Sequence, residues 1–581
     1  MRKLTRFLFL GLTLALVASM ALPVAAQEAE PPAGPGEGGI IIEGSTSDPG
    51  NFHPFYCAST SCLDDGLSFM MPGLLGVDPA TATFVKAGDG AMALDWEVAE
   101  DGTTFTFTLR EDMFWSDGVP VTAHDWEWSW DVNANPEANT QQYWITDYVD
   151  DIVALDDYTL QVTLKFSGCN VLRYTDYMDI APAHVFEGVA LTELEDHPYS
   201  QNPNVTSGVF QFGEFRPGEQ FSLIADQEYP DTTYGYVVPA GRIVRNVPDA
   251  TVLKEQFLAG ELNAFRNISA IDQDELREAA EADPSIKVYE FAGNTWDYFG
   301  FNLADPANPQ DGLDAEGNPV PQDPHPLFGD VRVRQAIAKA IDVDAIIEGA
   351  VFGNGARMPS SIVASSWAIH PELDPIAYDP EGALELLAEA GFVPGDDGML
   401  VATEDAMYVE AGTPLTFQLL TNEGNTRREA IGTLIQDQLR QIGIQVDYQA
   451  IDWNTLLEIN DSQEYDAVIM GWRAGYPDDP IASISQVFGP GADVVGACSN
   501  CGSYYNQEVL DLLDQANTVE GCATEDMAPY LWQVQEIMQD EVPYVWLFAQ
   551  NGMYAVRDTE GFSPYPAQMY WNVDAWAVTA D

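Results

Sequence analysis

Residues 415–473 read LTFQLLTNEGNTRREAIGTLIQDQLRQIGIQVDYQAIDWNTLLEINDSQEYDAVIMGWR. Their periodicity predicts a strand at 415–421, a helix at 426–442, a strand at 444–450, a short helix at 453–459 and a strand at 465–472, a β-α-β-α-β order. In the longer helix Ile431, Ile435, Leu439 and Ile442 recur at spacings of four, four and three. That places them on one face, and Gly443 falls where a left-handed C-cap belongs. Strands that alternate with helices imply a parallel sheet with right-handed crossovers, and such sheets take ligands beyond the carboxyl ends of their strands. The last strand ends at Gly471-Trp472-Arg473.

Outward from this stretch, the pattern extends the same α/β lobe to about 291–480. Residues 331–347 predict one helix with Val333, Ile337, Ile341 and Ala345 on a face. Another begins with Asp379 as N-cap and Pro380 at the first helical position, buries Leu384, Leu387 and Ala390, and closes at Gly391. Residues 103–109 and 158–166 alternate apolar and polar side chains, the mark of half-buried strands. The first half of the chain is the richer in β structure.

The N-terminus carries Arg2, Lys3 and Arg6, an apolar run at 7–17 and small residues ending in Val24-Ala25-Ala26. This predicts a secretory signal at 1–26, cleaved before Gln27. The run is too short to span a bilayer, which takes roughly 20 residues. A lipid anchor is not expected, since the first cysteine is Cys57. Residues 27–39, rich in glycine, proline and glutamate, lack the apolar side chains to fold and are read as a flexible leader. The remainder exceeds the roughly 250–300 residues at which one core stops growing, so two or more lobes are expected.

Against 92 acids stand 23 Lys and Arg, a net charge of −69. Nucleic-acid binding needs a basic surface and is excluded. The acidity reads as a solvated face suited to a salty or acidic exterior. Six cysteines in an exported chain favour disulfides. Sequence proximity favours Cys57–Cys62 and Cys498–Cys501, which leaves Cys169 with Cys522 among 15 possible connectivities.

Catalytic motifs are missing. There is no Gly-x-Ser-x-Gly elbow or Ser-x-x-Lys set, no His-x-x-x-His spacing among the six histidines, and no phosphate-cradling glycine loop. Cys498-x-x-Cys501 has no second pair at zinc spacing and reads as a local disulfide. Neither an enzyme, a metal nor a cofactor is expected.

Residues 101–125, DGTTFTFTLREDMFWSDGVPVTAHD, resemble the signature of the oligopeptide and dipeptide substrate-binding proteins of ABC importers, bacterial extracellular solute-binding family 5. Further matches follow in that family's order: Ser207-Gly-Val-Phe210 with Arg216-Pro-Gly-Glu219, Phe301-Asn-Leu303, the run 330–342, the run 465–480 and Glu541-Val-Pro-Tyr-Val545. The resemblance runs from about Gly39 to the C-terminus. It implies a two-lobed, periplasmic-binding-protein-like clamshell of three spatial domains with a hinge of two crossing strands. On that plan residues 40–69, 193–290 and 481–581 form domain I, 70–192 domain II of the same lobe, and 291–480 domain III, the second lobe. It also implies a monomeric carrier that passes a peptide-like solute to the transmembrane subunits of a permease. An oligosaccharide, opine or metal chelate, or a sensory role at a membrane receptor, falls within the same resemblance.

Residues 115–118 read as a structural turn, and Arg332 and Arg334 as helix-surface or interlobe salt-bridge residues in preference to ligand contacts. For the ligand cleft the expected contacts are Tyr56, Trp296, Trp367, Trp472, Arg473, Tyr476 and Asp478. Aromatic side chains there supply flat apolar walls. In many peptide-binding relatives an aspartate at the position of Gly475 pairs with the ligand's amino group, and that carboxylate is missing here. Either Asp478 or Asp479 replaces it, or the ligand lacks a free amino terminus; Arg473 either holds a ligand carboxylate in a two-bond fork or is spent on a neighbouring acid.

Overall fold

The computed structural model describes residues 31–579 apart from Asp89, Pro477 and Ala567. The segment read as a secretory signal lies outside the described residues.

The quoted stretch folds as its periodicity predicts, with strands Thr416–Asn422, Gln445–Ile451 and Ala467–Arg473 and helices Thr426–Gln441 and Trp453–Ser462. The strand Thr416–Asn422 pairs in parallel with both others. Ile431, Ile435 and Leu439 are buried against Phe417, Leu419 and Ile469, and Gly443 takes a positive φ of 86° after the helix. The parallel run stops at Ala467–Arg473, whose other neighbour, Ile286–Phe301, is antiparallel.

Ile286–Phe301 and Tyr544–Arg557 are the two longest strands and pair with each other along most of their length. Their first and last parts, respectively, belong to a second region of the same sheet, built from Ala264–Phe265, Ile40–Ser45, Gly241–Asn246, Gln220–Ala225 and Phe210–Arg216. The register breaks between Ala292 and Trp296, where a Cβ on Gly293 would lie 1.9 Å from the Gln550 carbonyl oxygen. Only glycine allows that approach. This break between two shared strands is the hinge of crossing strands that joins the lobes.

A third body is a four-stranded antiparallel sheet ordered Ala93–Val98, Thr104–Leu109, Thr159–Leu164, Val149–Asp156, covered by the helix Ala123–Asn133. Its core gathers Phe107, Trp115, Trp126 and Leu160. Residues 115–118 form the expected turn: the Trp115 N–H donates to the Val119 carbonyl at 2.8 Å, and Gly118 has φ 89°.

Several expectations are corrected. The helix expected at 331–347 is two, Val331–Ala340 and Val343–Val351, because Asp342 caps a new start by accepting from the Ala345 N–H at 3.0 Å. Leu384 is 39% exposed, and Ala383 takes the buried position beside Leu387. Arg334 is buried and donates to the carbonyls of Glu541 and Phe328, so it ties backbone within the second lobe and makes no ion pair. Residues 481–541, part of the 481–581 segment assigned by sequence to domain I, pack instead on the second lobe: Ile484, Leu512, Leu513 and Leu531 share a core with Trp296, Ile362 and Leu420. Part of the segment read as a leader is also seated, since the Gly36 and Gly38 N–H groups donate to the carbonyls of Val237 and Val238. Backbone pairing holds it without apolar side chains.

Disulfides join Cys57 to Cys62, Cys498 to Cys501 and Cys169 to Cys522. The sulfurs of Cys498 and Cys501 also approach a carboxylate oxygen of Asp461, but bonded to each other they are not thiolates and offer no soft ligands. Among the described residues no helix is long and apolar enough to cross a membrane.

Candidate functional site

Trp472 and Arg473 end the parallel strand, and across the antiparallel ladder they stand opposite Trp296 and Thr295. Directly opposed residues share a face, so the two indoles lie together. Beyond Arg473 the chain is pinned to the hinge strand: the Ala474 N–H donates to the Asn294 carbonyl at 2.8 Å, and the Asn294 amide donates back to the Ala474 carbonyl at 3.0 Å. It then re-enters as the helix Pro480–Phe488, with Asp479 as cap accepting from the Ala482 N–H at 2.9 Å.

These elements enclose a pocket beyond the strand ends. Trp296, Val487 and Phe488 give its apolar wall, and Trp472, Arg473 and Asp478 line it as well. Its void is about 80 Å³, well under the roughly 300–1,000 Å³ of a drug-sized site. It holds a side chain or an end group, and every residue that lines it belongs to the second lobe.

Arg473 is exposed and has no side-chain hydrogen bond or ion pair among the described residues. Every other described lysine and arginine has at least one. In a chain with four acids to each base, one uncommitted guanidinium beside a pocket is the reverse of what random pairing produces. Its five donors face solvent and suit a carboxylate.

Asp478 is turned inward, accepting from the Ser366 hydroxyl. Burial, which the Ser366 hydroxyl and the Trp367 backbone offset only in part, pushes its carboxyl up to about 6. Asp479 is occupied by the helix cap and by Arg173 Nη1 at 2.8 Å. Trp367 packs beside them, its indole nitrogen 3.5 Å from the Asp478 carbonyl. Tyr476 is partly buried next to Asp78 of the first lobe; burial first, and that carboxylate second, push its hydroxyl up. Tyr56 is corrected: it is buried in the core of the small-sheet body, and its hydroxyl donates to the Ala138 carbonyl at 2.7 Å. Tyr56 follows the buried His53 in a local aromatic cluster, and its position in the sequence carries no sign of that.

Sequence reasoning missed Asp297. One residue on from Trp296, its fully buried carboxylate takes Arg427 Nε at 2.7 Å and Arg428 Nε at 3.1 Å. The available signal was the Arg-Arg pair itself, two adjacent cations on the first turn of a helix in a strongly acidic chain. Gly471 passes so close that a Cβ would meet Arg428 and the Trp296 carbonyl. The charge cluster therefore braces the strand pair that carries the two indoles.

A model of the bacterial extracellular solute-binding proteins, family 5, matches residues 89–493. The chain is 25% identical over 564 residues to the oligopeptide-binding protein AppA of Bacillus subtilis (strain 168), covering 93% of this chain and 92% of that protein. It is 28% identical over 561 residues to a probable ABC transporter-binding protein of Deinococcus radiodurans, covering 90% and 88%. The fold is shared with the structure of the Bacillus subtilis AppA in complex with a nonapeptide, at a TM-score of 0.66 and 23% identity over 94% of this chain and all of that one.

Proposed function

The chain belongs to the family of bacterial extracellular solute-binding proteins, family 5, and from that premise we propose that it captures peptides or peptide-like solutes between its lobes and delivers them to the transmembrane subunits of an ABC importer. It works outside the cytoplasm as an exported monomer. Binding shifts the balance between open and closed lobes, because the ligand touches both only when they meet. Relatives named for oligopeptides and a solved complex with a nonapeptide support the peptide class.

The observation that carries the reading is Arg473, a guanidinium at the carboxyl end of the parallel strand with no partner among the described residues. Its fork anchors the ligand's carboxylate, while Trp296 and Trp472 flank the adjoining residue and Trp367 and Tyr476 complete the wall. Asp478, held by Ser366, shapes the pocket and does not reach for an amino group. The test is calorimetry with matched peptides, free, N-acetylated and C-amidated. N-acetylation is expected to leave affinity unchanged and C-amidation to weaken it. Loss of binding on acetylation with none on amidation reverses the polarity and makes Asp478 the anchor.

A further inference from the structure

Among the described residues the chain passes between the lobes only along the neighbouring strands Ile286–Phe301 and Tyr544–Arg557. A hinge of two adjacent strands leaves the rest of the lobe boundary free to separate. The Cys169–Cys522 disulfide crosses that boundary. Cys169 follows the strand Thr159–Leu164 in the small-sheet body. Cys522 closes the turn Glu520–Cys522 between the helices Gln507–Asn517 and Thr524–Glu541, which pack on the second lobe.

The sulfurs meet within a fitted contact. The Cys169 N–H donates to the Asn517 carbonyl at 2.7 Å, and the Asn170 N–H donates to Asn517 Oδ1 at 3.0 Å. Gly168 lets the loop come this close: its φ is 148°, and a Cβ there would lie 2.4 Å from Asn517 Nδ2. Along the same boundary Arg173 pairs with Asp479 at 2.8 Å, and the Asp478 N–H donates to the Ala82 carbonyl at 3.1 Å.

We propose that the Cys169–Cys522 disulfide is a covalent latch between the lobes that limits how far the cleft opens and so paces ligand entry and exit. Noncovalent contacts of this kind break and re-form as a clamshell works, whereas a covalent link lets the lobes turn only about itself and the hinge strands. The latch can be released chemically. Cys522 is the exposed member of the set, while Cys57, Cys62 and Cys501 are buried. An external dithiol therefore reaches this bond first. One S–S bond breaks, each sulfur gains a proton to become a thiol, and the dithiol is oxidised to its own disulfide.

The pacing of ligand rests on the proposed binding function; the tether itself does not. Small-angle scattering of the ligand-free wild type and of the Cys169→Ser/Cys522→Ser protein reads the tether without any ligand. The double variant is expected to show a larger maximum dimension, and stopped-flow release of a bound peptide is expected to be about tenfold faster. Identical scattering from the two proteins overturns the latch. Absence of peptide binding in both overturns the binding function and leaves the scattering result standing. Should the serine pair not fold, the wild type is treated with dithiothreitol and its thiols are mapped by alkylation. Selective opening of Cys169–Cys522 with expansion supports the latch; earlier reduction of either local pair, or reduction without expansion, overturns it.

Discussion

Around the pocket, three arginines are used in two ways. Arg427 and Arg428 converge on Asp297, a carboxylate with no exposure, whereas Arg473, two strand-pair positions away, has no partner among the described residues. Carboxylates divide in the same manner: Asp297 is enclosed by two guanidinia, while Asp478 has neutral partners, the Ser366 hydroxyl and the Trp367 backbone, and Asp479 serves a helix and Arg173. A buried charge must be neutralised inside the protein, and an exposed one need not be. The interior charges therefore hold the hinge strands in place, and the exposed cation is left for what enters.

The sharpest break of this comparison is Asp297→Ala, which strands two guanidinia. It is expected to destabilise the protein by roughly 3–5 kcal/mol, read by urea denaturation; a loss below 1 kcal/mol would mean that the cluster is not a brace. Arg473→Ala is the opposite case. It is expected to cost about 2–3 kcal/mol of ligand affinity by calorimetry, with the urea midpoint unmoved and lysine restoring only part of the binding. A shifted midpoint would place Arg473 with the structural pair.

Acid pH gives a smaller and graded test of the poorly compensated carboxyls. Burial raises Asp65, Asp179, Asp478 and Asp493 to about 6 and Asp176 to about 7. Each binds its proton more tightly folded than unfolded, so stability rises as pH falls from about 7 towards 4. His53 opposes this: burial lowers it to about 3, so it favours unfolding once the pH drops below the ordinary histidine range. Five groups against one predict a melting temperature several degrees higher at pH 5 than at pH 7.5 by calorimetric scanning, with a reduced gain in Asp478→Asn. An unchanged or lower melting temperature at pH 5 would show that these carboxyls are solvated.

The sequence by itself determined what depends on local periodicity. It gave the β-α-β-α-β stretch, the caps at Asp379 and Gly443, the turn at Gly118, and the placing of Trp472 and Arg473 at a strand end, because helix and strand repeats and cap chemistry act within a few residues. It missed the break at Asp342, where a cap competes with a continuous apolar stripe, and it put Leu384 on the wrong face by one position. Only the tertiary structure decided which charges are spent. Arg427 and Arg428 find Asp297 about 130 residues away, and nothing near Arg473 in sequence says that no acid reaches it. Tertiary packing also moved 481–541 from the first lobe to the second, since its helices are amphipathic and would cover any apolar face of the right shape. That reassignment turns Cys169–Cys522 from a bond within one lobe into a bond between two: pairing is set by sulfurs that meet in space, and sequence separation carries no record of which bodies they belong to.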